Sequence, residues 1–173
     1  MIVKAAGFTL IEMLVALAIL AVIAGVLMLS TASGGNEPRL RLEAERLQAR
    51  MNLACERAEL TGRDIGLHFG SDIYGFSQRR GELMELQTKA PLGPYKLPKD
   101  MLLEVPEIEL AAGLPDKPQM ICFSSGERTP IAVSIGAGSG DPRYRVLVEA
   151  IGNGRIQRRP SGAADWQDWA ARR

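Results

Sequence analysis

The sequence has 173 residues, with 21 basic and 20 acidic side chains and a net charge of +1. This balance excludes the broad basic surface of a typical nucleic-acid-binding protein, and the clusters Arg79-Arg80 and Arg158-Arg159 are too short to create one and indicate solvated strand ends. The length allows one compact domain beside an N-terminal segment, and a single histidine with two cysteines leaves few candidates for catalysis.

The N-terminal segment is apolar and almost uncharged. Residues 13–29 contain no charged residue and no proline. With the turn before them, at about 1.5 Å per residue, they would span the roughly 30 Å hydrocarbon core of a bilayer. Lys4 precedes the segment and favours a cytoplasmic N-terminus. The sequence therefore predicts a single-pass inner-membrane helix at residues 8–29, with a periplasmic head at residues 30–173.

Glu12 is the carboxylate that interrupts this apolar stretch. An ionised carboxylate in hydrocarbon costs at least ~2.5 kcal/mol and usually marks a partner or a function. The expected partner is a cation. A new amino terminus at Phe8 would supply it.

Residues 7–13, Gly-Phe-Thr-Leu-Ile-Glu-Met, resemble the class III signal of type IV pilins and type II secretion pseudopilins. Gly7, Phe8 and Glu12 match its three diagnostic positions. The resemblance implies a leader at residues 1–7, cleavage between Gly7 and Phe8 by a prepilin peptidase, N-methylation of Phe8, and a filament in which Glu12 meets the amino terminus of an adjacent subunit. The alternatives are an ordinary secretory signal, whose apolar region is shorter and would contain Glu12, and an uncleaved anchor, which leaves the spacing unexplained.

A second helix is predicted at about residues 39–61, after the breaker-rich residues 30–38. Its apolar residues recur at alternating spacings of four and three, which is typical of a helix with one buried face. Gly62 is placed to end it. The positions of the apolar stripe are Leu40, Ala44, Leu47, Met51, Ala54 and Ala58, while charged residues, Glu43 among them, mostly cover the rest.

The remainder of the chain predicts strands. Residues 65–69 and 73–76 read as a hairpin, residues 89–99 as a surface loop because of their prolines and glycine, and residues 152–154 as a tight turn. Further strands are expected at residues 83–86, 101–105, 107–110, 120–123, 131–135, 143–150 and 155–158. The C-terminal end is left open: Trp166 and Trp169 either cover an edge of the head or form a docking patch.

Two stretches of the head, residues 47–76 and 120–135, resemble the H family of type II secretion minor pseudopilins, which is related to type IV minor pilins. The first contains a Gly-Arg pair at the helix end, and the second a Ser-Gly-Glu turn between apolar strands. The resemblance implies an α+β, pilin-like fold: a long N-terminal membrane and assembly helix packed on a mainly antiparallel sheet.

Cys55 and Cys122 would lie in the oxidising periplasm, where an even cysteine count permits one disulfide. Cys55 falls on the core face of the predicted helix and Cys122 in an apolar strand. From the residues alone, a Cys55–Cys122 bond and a pair of buried thiols are about equally supported. Their spacing suits no zinc motif.

Catalysis needs a nucleophile, a base and a stabilising group held together, and the sequence offers no such set. His68 lies on the polar side of a predicted strand, where an exposed or hydrogen-bonded role is expected. Residues 136–140 are glycine-rich but lack the lysine of a phosphate-binding loop. No enzyme activity, metal or cofactor is predicted.

The resemblance therefore implies a structural subunit of the periplasmic pseudopilus, which helps to export folded proteins across the outer membrane. Its expected partners are other major and minor pseudopilins, the prepilin peptidase, the inner-membrane secretion platform and exported proteins, and no nucleic acid. The alternatives are a minor type IV pilin for pilus assembly, adhesion or DNA uptake, and, in another class, a membrane-anchored periplasmic enzyme or binding protein.

Overall fold

The structure, a computed structural model, describes residues 10–21, 36–106, 108–138 and 140–169. The chain divides into two compact units between Asn36 and Glu37. In the N-terminal unit, residues 10–21 form a helix, α1, which is made of strong helix formers such as Leu and Ala. The predicted leader, residues 1–7, lies outside the described residues, and so does Phe8.

The second helix, α2, spans Glu37–Thr61 and begins two residues before the predicted start. Pro38 fits the first turn, where its missing N–H is not needed for a helical hydrogen bond. Gly62 ends the helix with φ of +62°, a left-handed conformation that glycine adopts without strain, and the Arg63 N–H donates to the Ala58 carbonyl at 3.2 Å. This is the Schellman arrangement, so the predicted role of Gly62 is confirmed.

In the part of the chain that the structure describes, ten strands follow α2, and their pairings are antiparallel. They are β1 (Ile65–Phe69), β2 (Ile73–Arg80), β3 (Leu83–Leu86), β4 (Tyr95–Lys96), β5 (Met101–Glu104), β6 (Met120–Cys122), β7 (Ile131–Ala137), β8 (Tyr144–Val148), β9 (Arg155–Arg158) and β10 (Gln167–Asp168).

The strands form two five-stranded sheets rather than the single sheet that the sequence suggested. The N-terminal sheet has the order β3-β2-β1-β6, with β4 also paired to β2, and the C-terminal sheet has the order β10-β9-β8-β7-β5. The α+β prediction is confirmed. Local alternation predicted most strands, but it carries no information on which strands pair over long distances, and this pairing divides the sheets.

The core lies between α2 and strands of both sheets, with α2 packed against β1, β6, β7, β8 and β9. The predicted stripe of α2 is buried throughout, and Leu47 and Ala54 are fully enclosed. Phe76, Val133 and Val146 supply fully buried side chains from the sheets. Burying one leucine-sized side chain stabilises the fold by about 1.5–3 kcal/mol, so this shared core holds the two sheets together through α2.

Two local predictions need correction, and one open question is answered. Residues 107–110 form no strand at the described positions, since Pro106 lacks an N–H donor and the Ile108 N–H turns back to the Val105 carbonyl at 3.1 Å. The predicted surface loop contains β4, which pairs with Ile73 and Tyr74. The C-terminal end, left open by the sequence, forms the short edge strand β10.

Candidate functional site

Helix α1 carries a surface of large apolar side chains. All of the following are more than half exposed: Leu10, Ile11, Met13, Leu14, Val15, Leu17, Ile19 and Leu20. Glu12 stands in this surface, on the same side of the helix as Ile11, Val15, Ala16 and Ile19. A continuous apolar surface of this kind marks a protein or membrane interaction site.

Gly7 and Phe8, the residues of the predicted cleavage site, lie outside the described residues, so cleavage and methylation stay predictions. Across the parts of the chain that the structure describes, no helix is both long enough and apolar enough for a membrane crossing. The predicted membrane segment, residues 8–29, is described only at residues 10–21.

Cys55 of α2 and Cys122 of β6 are joined by a disulfide in the structure. Their Cα atoms are 4.9 Å apart, within the range that a disulfide spans, and both side chains are buried. The bond closes a loop across a sequence separation of 67 residues, which in the chain-entropy description stabilises the fold by about 4 kcal/mol. It links the core face of α2 directly to the edge strand of the N-terminal sheet.

Arg50 of α2 holds the loop before β4. Its Nε donates to the Pro91 carbonyl at 3.0 Å, and its Nη2 donates to the Gly93 carbonyl. The guanidinium also lies 5.0 Å from the ring centroid of Tyr74 and 5.1 Å from that of Phe76. Cation–π contacts at such distances are attractive, so Arg50 joins the helix, the loop and the N-terminal sheet.

Glu43 is buried, although the sequence assigned it to the polar face of α2. The Arg46 Nη1 lies 2.6 Å from its Oε1, and the Tyr95 hydroxyl donates to its two oxygens at 3.0 and 3.2 Å. Burial and the hydrogen bond to Glu43 raise the pKa of Tyr95. The carboxylate is tolerated because these partners compensate it.

Glu37 at the start of α2 is held by the C-terminal sheet. Its Oε1 accepts a hydrogen bond from the Tyr144 hydroxyl at 3.0 Å and lies 2.7 Å from the Arg158 Nη2. Burial, and then the hydrogen bond to Glu37, raise the pKa of Tyr144 to about 12. An acidic residue is also favourable near a helix N-terminus, so Glu37 fixes the first turn of α2 on the head.

The sequence predicted that His68 is exposed or hydrogen-bonded. The side chain is only 1% exposed, so it is hydrogen-bonded and not exposed. The Pro115 carbonyl accepts a hydrogen bond from Nδ1 at 2.8 Å, which assigns the proton to that nitrogen, and Nε2 lies 2.8 Å from the Ser77 hydroxyl. Burial lowers the pKa of His68. Both ring nitrogens are hydrogen-bonded within the head, so His68 links β1 to β2 and to the chain at Pro115.

The two tryptophans differ in their surroundings. The Trp169 ring meets that of Tyr144 edge-on at 6.2 Å, and its backbone N–H donates to the Ile156 carbonyl at 2.8 Å, so it covers the edge of the core. Trp166 instead lies against Arg145 and Arg159 on the face of the C-terminal sheet turned away from the core.

The two basic clusters differ, because Arg158 and Arg159 are half-buried against Trp169 and Trp166 and so are not the solvated strand end that the sequence predicted. Arg79 pairs with Asp64 at 2.9 Å, and Arg80 with Glu85 at 3.3 Å, which agrees with solvated strand ends. Among residues 10–21, 36–106, 108–138 and 140–169, no cluster of three or more His, Cys, Asp or Glu side chains could hold a metal ion.

The comparisons with known proteins agree with this arrangement. Residues 3–28 match the prokaryotic N-terminal methylation motif. The type II secretion system protein H of Aeromonas hydrophila is 28% identical over 171 residues, which cover 89% of this chain and 93% of the relative. The protein of the same name from Escherichia coli strain K12 is 31% identical over 149 residues, which cover 79% of this chain and 84% of the relative.

The fold is also that of a solved pseudopilin. The crystal structure of the minor pseudopilin EPSH from the type II secretion system of Vibrio cholerae matches with a TM-score of 0.59 and 24% identity, covering 69% of this chain and 94% of that one. At this identity the match shows the fold alone. Because the Escherichia coli relative exceeds 30% identity over most of its length, the chain belongs to the type II secretion system protein H family.

Proposed function

We propose that the chain is a minor pseudopilin of a type II secretion system, a structural subunit of the periplasmic pseudopilus that helps to export folded proteins across the outer membrane. The observation that carries this proposal is the similarity to type II secretion system protein H along both the N-terminal segment and the head. A type IV pilus role is less well supported, since these relatives are named for the secretion system.

The apolar surface of α1 supports a membrane location for the precursor and a buried location in the filament. Its large side chains would be unfavourable in water and favourable in lipid or against neighbouring α1 helices. The anchor would be residues 8–29 in the inner membrane, with residues 30–173 in the periplasm. The disulfide agrees with this location, because such bonds persist in oxidising compartments.

Maturation would prepare the subunit for assembly. A prepilin peptidase would remove residues 1–7, and N-methylation would follow at Phe8. The new amine at Phe8 is a cation at neutral pH, and Glu12 of an adjacent subunit would pair with it. In an apolar filament core, the charge of Glu12 is compensated only when the Phe8 amine is present, and that amine exists only after cleavage. The proposal therefore requires cleavage before assembly.

The partners would be the proteins that a filament subunit contacts. Other pseudopilins are the partners that membership of this family implies, and the inner-membrane platform and exported proteins are the further ones. The family is one of structural subunits, and the contacts around Arg50, Glu43 and His68 hold the fold together.

Two measurements test this function. We expect mass spectrometry of the protein purified from its native membrane to show a chain that begins at a methylated Phe8, and a chain that begins at Met1 would contradict the proposal. Deleting the gene should leave exported proteins in the periplasm, and the gene supplied in trans should restore their release. Unchanged export in the deletion strain, with loss of pili instead, would favour the type IV alternative.

A further inference from the structure

The outer face of the C-terminal sheet carries two arginines around one indole. The guanidinium carbon of Arg145, in β8, lies 4.5 Å from the ring centroid of Trp166, and that of Arg159 lies 5.1 Å from it. All three residues are half-buried. Trp166 immediately precedes the edge strand β10, which pairs with β9 alone among the described strands. The cluster is therefore open at the edge of the sheet.

The positive charge of this cluster is incompletely balanced. Arg145 Nε donates to the neutral Gln157 Oε1 at 2.7 Å, and no carboxylate of the described chain lies within 4.0 Å of its guanidinium. Arg159 lies 3.9 Å from Asp141, whose side chain is 90% exposed. Burial, and then the charge of Arg159, lower the pKa of Arg145. Two like charges are thus held together with one weak counter-ion.

Two neighbouring arginines, unlike Arg145, have close carboxylate partners. Arg155 lies 2.7 Å from Glu149, and Arg158 lies 2.7 Å from Glu37. These two residues of the same strand, β9, have close carboxylate partners. Arg145 differs because its neighbours are Gln157 and Trp166, and no carboxylate of the described residues pairs with it.

We propose that Arg145, Trp166 and Arg159 form a docking site for a carboxylate-bearing segment of a partner protein. Planar guanidinium groups bind carboxylates through paired hydrogen bonds, and the aromatic ring that both contact restricts their orientation. Tryptophan and arginine are also the residue types that most often dominate binding energy in protein interfaces, which favours an acidic protein segment over a lipid headgroup. The site is independent of Phe8 and Glu12, so failure of the N-terminal pairing would leave it intact.

Fluorescence anisotropy of labelled hexaglutamate, titrated with the full-length chain in detergent micelles, tests the site. We expect saturable binding that weakens in about 0.5 M NaCl, where the Debye length is only a few ångströms, and no binding of labelled hexaglutamine. The variant R145Q/R159Q should weaken hexaglutamate binding by about tenfold or more. W166L should weaken it as well, with no change in net charge.

The matched control is R57Q/R63Q, which also removes two positive charges but from exposed positions outside the cluster. It should bind hexaglutamate as the unaltered chain does, and thermal melting should show that both double variants are folded. Absence of binding by the unaltered chain, or an equal loss in the control, would overturn the proposal. Binding of phosphatidylglycerol vesicles that R145Q/R159Q abolishes, together with no binding of hexaglutamate, would identify a lipid site and overturn it too.

Discussion

Cys55 and Cys122 are bonded across the boundary between α2 and the N-terminal sheet, at the place where β6 forms the edge of that sheet. The register of β6 on β1 places Cys122 opposite Ile65, which is the first residue of β1 and closely follows the end of α2. The bond therefore fixes α2 and β6 near the point where the chain leaves the helix.

Replacing both cysteines by serine should lower the free energy of unfolding by about 2–4 kcal/mol, because the unfolded chain regains the freedom that the closed loop removed. Urea unfolding of the oxidised protein and of the double variant measures this difference. Thiol labelling of the unfolded, unreduced protein should detect no free thiol. Two free thiols would contradict the bond.

Replacing Arg50 by glutamine should release the loop at residues 88–94 from α2. The change removes two hydrogen bonds to backbone carbonyls and the contacts with the rings of Tyr74 and Phe76, and we expect a loss of about 1–3 kcal/mol. Hydrogen exchange should become faster at the loop amides and stay unchanged in β8. Arg57→Gln, an exposed residue of the same helix, is the control.

How far the sequence predicted this fold depends on how local each feature is. The stripe of α2, its end at Gly62 and the hairpin of β1 and β2 follow from spacing within a few residues, and all three were predicted. The signal at Gly7, Phe8 and Glu12 is equally local, which is why it could be read without a structure.

The features that the sequence did not predict depend on contacts with residues far away in the chain. Glu43 looks like a surface residue until Tyr95, 52 residues later, donates a hydrogen bond to it. His68 looks half-exposed until the carbonyl of Pro115 covers Nδ1. The Arg145 cluster likewise needs Trp166 from another part of the chain. The sequence shows the pair Arg158-Arg159 and Trp166, but nothing in it places Arg145 beside them.

The stability of the head should fall as the pH is lowered through the titration of His68. Burial lowers its pKa below the ordinary value of 6.5, so the folded state favours the neutral ring and the unfolded chain takes up the proton first. This contribution is complete above the unfolded pKa of about 6.5, and it is lost progressively as the pH falls below that value and through the folded pKa.

His68→Gln should flatten this part of the pH profile, since glutamine keeps hydrogen-bonding groups but does not titrate. Urea unfolding at a series of pH values, from neutral downwards, compares the two slopes of stability against pH. Asp64, whose pKa is lowered by the Ser124 amide and by Arg79, contributes only at more acidic pH and remains in both proteins. An identical slope in the variant would show that His68 does not control stability in this range.

Replacing Glu12 by alanine should hinder incorporation into the pseudopilus and leave the head folded. The variant removes the proposed counter-charge of the Phe8 amine on an adjacent subunit, and an uncompensated charge in an apolar core destabilises by about 3–5 kcal/mol. Crosslinking to co-expressed pseudopilins in membranes measures incorporation, with Glu56→Ala on the exposed surface of α2 as the matched control. Leader cleavage should proceed in both variants, which separates assembly from processing. Crosslinking of the Glu12→Ala protein at the level of the control would show that the carboxylate does not drive assembly.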